Sequence, residues 1–110
     1  MPLKKEQYDV HKWASQFSPP YWPIHEQLAR LSEEVGELAR EINHIHGTKK
    51  KKPEERESSI GDELIDVIFT VCCIANTSDI DLEELWTKAM EKKHYGRDNQ
   101  RYKRIDDNSP

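Results

Sequence analysis

The chain has 110 residues, 35% hydrophobic and 35% charged, with a formal net charge of −4. That size suits one domain with room for a core, although long helices in so short a chain call for a second subunit to cover them. The acidic balance gives no electrostatic case for a duplex nucleic-acid partner, no run approaches the roughly 18 apolar residues of a membrane span, and the N-terminus lacks a signal-peptide core.

The expected compartment is therefore the cytoplasm. Cys72 and Cys73 agree with it, because adjacent cysteines in an apolar helix rarely have disulfide geometry and serve better as packing thiols.

The first predicted element is an amphipathic helix from about Leu3 to Phe17, where Val10, Trp13, Ala14 and Phe17 fall on one face. Ser18-Pro19-Pro20 ends it. Pro23 then suits the first turn of a second and longest helix, which runs to His46 before Gly47. Along it Ile24, Leu28, Leu31, Val35, Leu38, Ile42 and Ile45 form an apolar stripe that predicts burial.

The stretch Thr48 to Glu57, with Lys49 to Lys52 in succession, has no apolar residue and reads as a mobile loop joining antiparallel helices. A third helix is predicted over about Glu54 to Asn76, with Ile60, Leu64, Val67, Val71, Ile74 and Ala75 as its stripe. Asp79 or Asp81 can cap a fourth, with Leu82, Leu85, Trp86 and Ala89 as its inner face. Strand signals are absent, so the fold class is all-α. Residues 1–98 form one domain in this reading, and 99–110 a polar tail, partly disordered at its end.

The chemistry sits on the second and third helices. Residues three apart on an α-helix lie about 60° from each other, so Glu34 with Glu37, and Glu63 with Asp66, can each aim at one point. Both pairs border their apolar stripe at the same angular offset. Packing the two stripes together then brings four carboxylates toward each other, an arrangement that repels itself without a cation. Oxygen ligands without thiolate or imidazole select Mg2+, Mn2+ or Ca2+ over zinc or copper.

Each acidic pair alone reads as a solvated helix face; the matching offset of both, with Glu41 as a further acid, favours a metal site. Glu41 and His44 also have the Glu-x-x-His spacing of di-iron bundles, but a di-iron site needs that motif twice and the third helix has no histidine. His44 and His46 are expected at the surface or beside substrate. Lys93 and Arg97 continue the register of Trp86 and Ala89, so they are predicted to point toward the bundle and meet an anionic ligand, whereas Lys92 complements a helix C-terminus. Phe17 and Trp13 suit core filling. Tyr21 and Trp22, in the Pro-rich connection, offer aromatic faces to a base.

The segments LARLSEEVGELAREI, GDELIDVIF and KKHYGRD resemble the MazG-like nucleoside triphosphate pyrophosphohydrolases of the all-α NTP pyrophosphatase superfamily, over about Pro23 to Asp98. The resemblance implies a four-helix bundle completed by oligomerisation, as a homodimer or a tetramer of dimers. It implies hydrolysis of a nucleoside triphosphate between the α and β phosphates, with Mg2+, or Mn2+ in its place, on Glu34, Glu37, Glu63 and Asp66. Glu33 belongs to the same motif but points away and has a supporting part. Glu37 and Glu41 are the candidate proton acceptors, Lys93 and Arg97 the candidate groups for phosphate charge, and Trp13 and Trp22, with Lys93 and Arg97, the candidate substrate-binding residues. The competing reading is a helical module that holds Mg2+ and nucleotide without turning it over.

Overall fold

The computed structural model describes residues 3–48 and 59–105. Its elements are α1 (Leu3–Ala14), α2 (Ile24–His46), α3 (Ile60–Thr77), α4 (Leu82–Ala89), a π-helical continuation over Met90–Asp98, and a last turn, α5 (Asn99–Arg101). The described residues contain no strand, so the chain is all-α as its periodicity requires.

The helix ends follow local chemistry. Pro23, which has no N–H to satisfy, stands immediately before α2, and the Gly47 N–H closes its other end on the Asn43 carbonyl. Ser59 begins α3 with a reciprocal box: its Oγ accepts from the Asp62 N–H at 3.0 Å, and Asp62 accepts the Ser59 N–H. The third helix therefore starts at Ile60 rather than near Glu54. The lysine-rich loop expected over 48–57 falls almost wholly outside the described residues. Asp81 caps α4 by accepting from the Glu84 N–H. α1 ends at Ala14, short of Phe17, because the Gln16 and Phe17 N–H groups turn back to the carbonyls of Trp13 and Ala14.

α2 and α3 pack along each other, α1 lies on α3, and α4 rests on α1. A polar clasp fixes the far end. The Gln7 side chain donates to the Asn76 Oδ1 and the Ile80 carbonyl and accepts from the Leu82 N–H, at 2.9, 2.7 and 2.8 Å. Asn76 in turn donates to the Gln7 carbonyl and to the Tyr21 hydroxyl, both at 3.0 Å, so α1, α3, the start of α4 and the Pro-rich connection share one network.

The predicted burial pattern needs correction. Among the described residues the buried apolar side chains are Val10, Ala14, Cys72 and Ala75, whereas α2 buries Gln27, Glu34, Glu41 and His44. The apolar stripes are covered only in part: Ile24, Leu28, Val35, Ile42 and Ile45 of α2 are exposed, Leu28 by 59%, as are Leu64 and Ile65 on α3, whereas Leu31 and Leu38 are half-buried. The covered edge of α2 is the one that carries Glu34 and Glu41, buried, between the half-buried Leu31 and Leu38. The fourth helix differs too, since α4 buries none of its residues and leaves Leu85 and Trp86 exposed. The radius of gyration is 18.2 Å, against about 13 Å for a compact domain of this length.

Candidate active site

The acidic motifs meet between α2 and α3. One carboxylate oxygen from each of Glu34, Glu37 and Glu63 lies within 4.8 Å of the others. Glu34 and Glu63 are 3% and 7% exposed, while Glu37 opens to solvent. The Arg30 Nε holds one Glu34 oxygen at 2.7 Å, one helical turn away, and leaves the other free.

That free Oε2 of Glu34, and Oε2 of Glu63, are buried without a hydrogen-bond partner among the described residues. Unpaired buried acceptors cost on the order of 1–3 kcal/mol each, and more when charged. A hard divalent cation is the group that such a set of oxygens fits: three carboxylates converge, two of them carry an unused oxygen, and neither sulfur nor imidazole intrudes. Asp66, one turn beyond Glu63, stands outside the three-acid cluster; it is exposed and forms part of the cavity wall. Glu33 is exposed, as its angle on the helix predicts, and Glu41 is buried further along α2.

Beside the acids is a cavity of about 410 Å³, walled by Trp13, Phe17, Trp22 and Phe69 with Arg30, Glu34 and Asp66 at one end. Trp13 packs edge-on against both Phe17 and Phe69, at centroid separations of 5.1 and 5.6 Å, so the aromatic wall joins α1 to α3. Trp13 and Trp22 thus line one cavity although they come from different segments. Tyr21 is anchored beside them by Asn76 and by His11, whose Nδ1 is 2.7 Å from the phenol oxygen. Burial raises the Tyr21 pKa, with the Asn76 hydrogen bond opposing.

Sequence reasoning missed Gln27, Arg30, Phe69 and Cys73 as wall residues. Gln27 and Arg30 precede Glu34 by seven and four positions, so helical spacing alone places them on its face, and that signal was available. Phe69 and Cys73 enter only because α1 and the Pro-rich connection cross α3 there.

Two expectations do not hold within one chain. The segment bearing Lys93 and Arg97 continues α4 without a break and has no substantial contact with α2 or α3, and both side chains are exposed, with the Arg97 Nε 3.3 Å from Asp98. The register that pointed them inward assumed an α-helix against the bundle, whereas Met90–Asp98 is π-helical and extends away. His44, expected at the surface or beside substrate, is buried, while His46 is exposed.

Residues 24–102 match the family model of the MazG nucleotide pyrophosphohydrolase domain. The chain belongs to the MazG nucleotide pyrophosphohydrolase family. It is accordingly an enzyme, a hydrolase acting on phosphoric anhydrides. Its likeness to the uncharacterized protein YpjD of Bacillus subtilis strain 168 is 43% identity over 90 residues, covering 82% of this chain and 81% of that protein. The crystal structure of Bacillus subtilis YpjD superposes with a TM-score of 0.74 at 41% identity, covering 86% of this chain and 96% of the other. A crystal structure of a Bacillus-conserved MazG protein, a nucleotide pyrophosphohydrolase, gives a TM-score of 0.70 at 40% identity over 84% and 88% of the two chains. The MazG match begins at Ile24 and so takes in both acidic motifs but not the aromatic residues of α1 and the connection.

Proposed function

We propose that this MazG enzyme is a Mg2+-dependent nucleoside triphosphate pyrophosphohydrolase, cleaving ribo- or deoxyribonucleotides between the α and β phosphates to the monophosphate and pyrophosphate. The observation that carries the reading is the continuity of an aromatic cavity with a buried carboxylate cluster, Glu34 belonging to both. Aromatic walls suit a base, and carboxylates that hold divalent ions suit a polyphosphate.

In this reading Glu34, Glu37 and Glu63 hold the metal, with Asp66 completing the set from the cavity side; Mn2+ substitutes because its ligand preference is similar. When bound, such an ion neutralises the triphosphate, polarises a phosphoryl oxygen and lowers the pKa of water. Arg30 holds the Glu34 carboxylate by Oε1 and leaves Oε2 without a hydrogen bond, available to an ion. Glu37, the exposed member, is the better placed of the two acids proposed to accept the attacking water's proton; Glu41 is the other. Trp13 and Trp22 sandwich or flank the base.

A homodimer, or a tetramer of such dimers, is the proposed assembly. The exposed stripe of α2 and α3 needs cover, the chain is too extended to supply it, and a second copy brings the same aliphatic surface. Lys93 and Arg97 would then serve the phosphates of a neighbour's site, since they lie away from their own. The proposed role is clearance of noncanonical or surplus nucleotides in the cytoplasm; no described helix is long and apolar enough to cross a membrane.

The test is product analysis by ion-exchange chromatography after incubation with common, deoxy, deaminated and oxidised triphosphates, with Mg2+ or with chelator. Monophosphate plus pyrophosphate appearing only with Mg2+ is the expected result. Intact triphosphate throughout would move the assignment to a module that binds nucleotide without turnover.

A further inference from the structure

We infer that Gln27 is a specificity-determining residue, its Oε1 accepting a hydrogen bond from an N–H of the bound nucleobase. The inference rests on the hydrolase reading above and adds to it the chemical edge by which the base is read.

Gln27 is 4% exposed and forms part of the wall of the aromatic cavity. Its amide orientation is fixed by its partners. Nε2 donates to the Trp22 carbonyl at 2.6 Å and to the Thr77 hydroxyl at 2.8 Å. The carbonyl can only accept, and the Thr77 hydroxyl spends its own proton on the Cys73 carbonyl at 2.9 Å, so both contacts require the amide nitrogen. Oε1 is therefore an acceptor, and it has no partner among the described residues. The other hydroxyls at that end are engaged: Thr70 donates to the Asp66 carbonyl, and Tyr21 receives from Asn76.

Gln27 precedes Glu34 by two helical turns, roughly 10 Å along the axis. A nucleotide lying along α2 with its phosphates at Glu34 and Glu37 thus carries its base to Gln27, between Trp13 and Trp22. An acceptor locked in place selects a base that presents an amino or imino N–H there. A base with no donor leaves Oε1, an atom already screened from solvent, unpaired, and unmet buried acceptors of that kind discriminate strongly.

The experiment measures kcat/KM for the full chain with Mg2+, using adenosine, cytidine and uridine triphosphates in ribo and deoxy forms. Each is paired with an analogue lacking the donor: purine riboside, 2-pyrimidinone riboside and N3-methyluridine triphosphate. For the best parent, the expected advantage over its analogue is about 10- to 100-fold, and Gln27→Leu should bring the pair to within about threefold. Parity between parent and analogue in the unaltered protein overturns the inference without recourse to the variant. Persistence of the preference in a Gln27→Leu protein of normal helicity overturns it equally. Failure to release pyrophosphate from any triphosphate overturns the hydrolase reading instead, and is distinguishable because no pair then has a rate.

Discussion

The two sides of α2 differ in a way opposite to the usual globular pattern. Its side toward α3 buries Gln27, Glu34, Glu41 and His44, and its outward side exposes Leu28, Val35 and Ile42. Inside a single chain the polar groups are covered and the aliphatic ones are left to water. The difference draws attention to the α2–α3 seam, where Oε2 of Glu34 and Oε2 of Glu63 are buried without a hydrogen bond, an arrangement that costs stability unless a ligand meets those oxygens. The outward side is the surface on which the proposed dimer would form.

Breaking the polar side should have the largest effect. Glu34→Gln or Glu63→Gln is expected to reduce pyrophosphate release by about 10²- to 10³-fold, on the scale of losing one preorganised electrostatic group. Helicity by circular dichroism should persist. Thermal scans give a second readout: Mg2+ should raise the melting temperature of the unaltered protein, by the equivalent of about 2.7 kcal/mol at a hundred times its Kd, and should raise it little in the variants. Full activity in both variants would remove those carboxylates from the metal site.

Breaking the apolar side comes next. Val35→Asp places a charge amid exposed aliphatic groups, and light scattering should show dimer dissociation shifted by about 2 kcal/mol or more if Val35 lies near the interface centre. A monomer with unchanged melting behaviour before and after substitution would mean that the side is not an interface.

A smaller effect sharpens the link between the two sides of the cavity. Trp22 is 58% exposed, so Trp22→Ala should raise KM by about tenfold, in line with 1–3 kcal/mol for base stacking, and leave the melting temperature almost unchanged. A large fall in melting temperature would make Trp22 a packing residue. The smallest effect concerns Cys73, a half-buried wall residue whose thiol pKa is raised, first by burial and then by neighbouring Cys72. A raised pKa means less thiolate at neutral pH, so iodoacetamide should alkylate Cys73 more slowly than a free thiol, and faster as pH rises. Bound nucleotide should slow it further.

Much of the helix layout is legible in the chain because its signals are local. Pro23, Gly47 and Asp81 set ends through backbone geometry and hydrogen bonds within a few residues. The three-acid cluster is legible for a related reason, since i, i+3 spacing fixes which side of a helix each carboxylate takes. Asp66 shares that spacing yet lies outside the cluster, because its distance from α2 depends on how α3 is rotated.

The sequence by itself thus determined the all-α class and the side of each helix on which the acidic pairs lie, both consequences of periodicity. Only the tertiary structure decided which edge of each stripe faces the partner helix, because an amphipathic sector wider than one contact has two edges and helical spacing cannot choose between them. It also decided that Trp13, Gln27, Trp22 and Phe69 share one cavity, and that Lys93 and Arg97 stand apart from the acids of their own chain. Those are long-range relations, set by the crossing of α1 over α3 and by the path of the chain after Ala89, which no local pattern encodes.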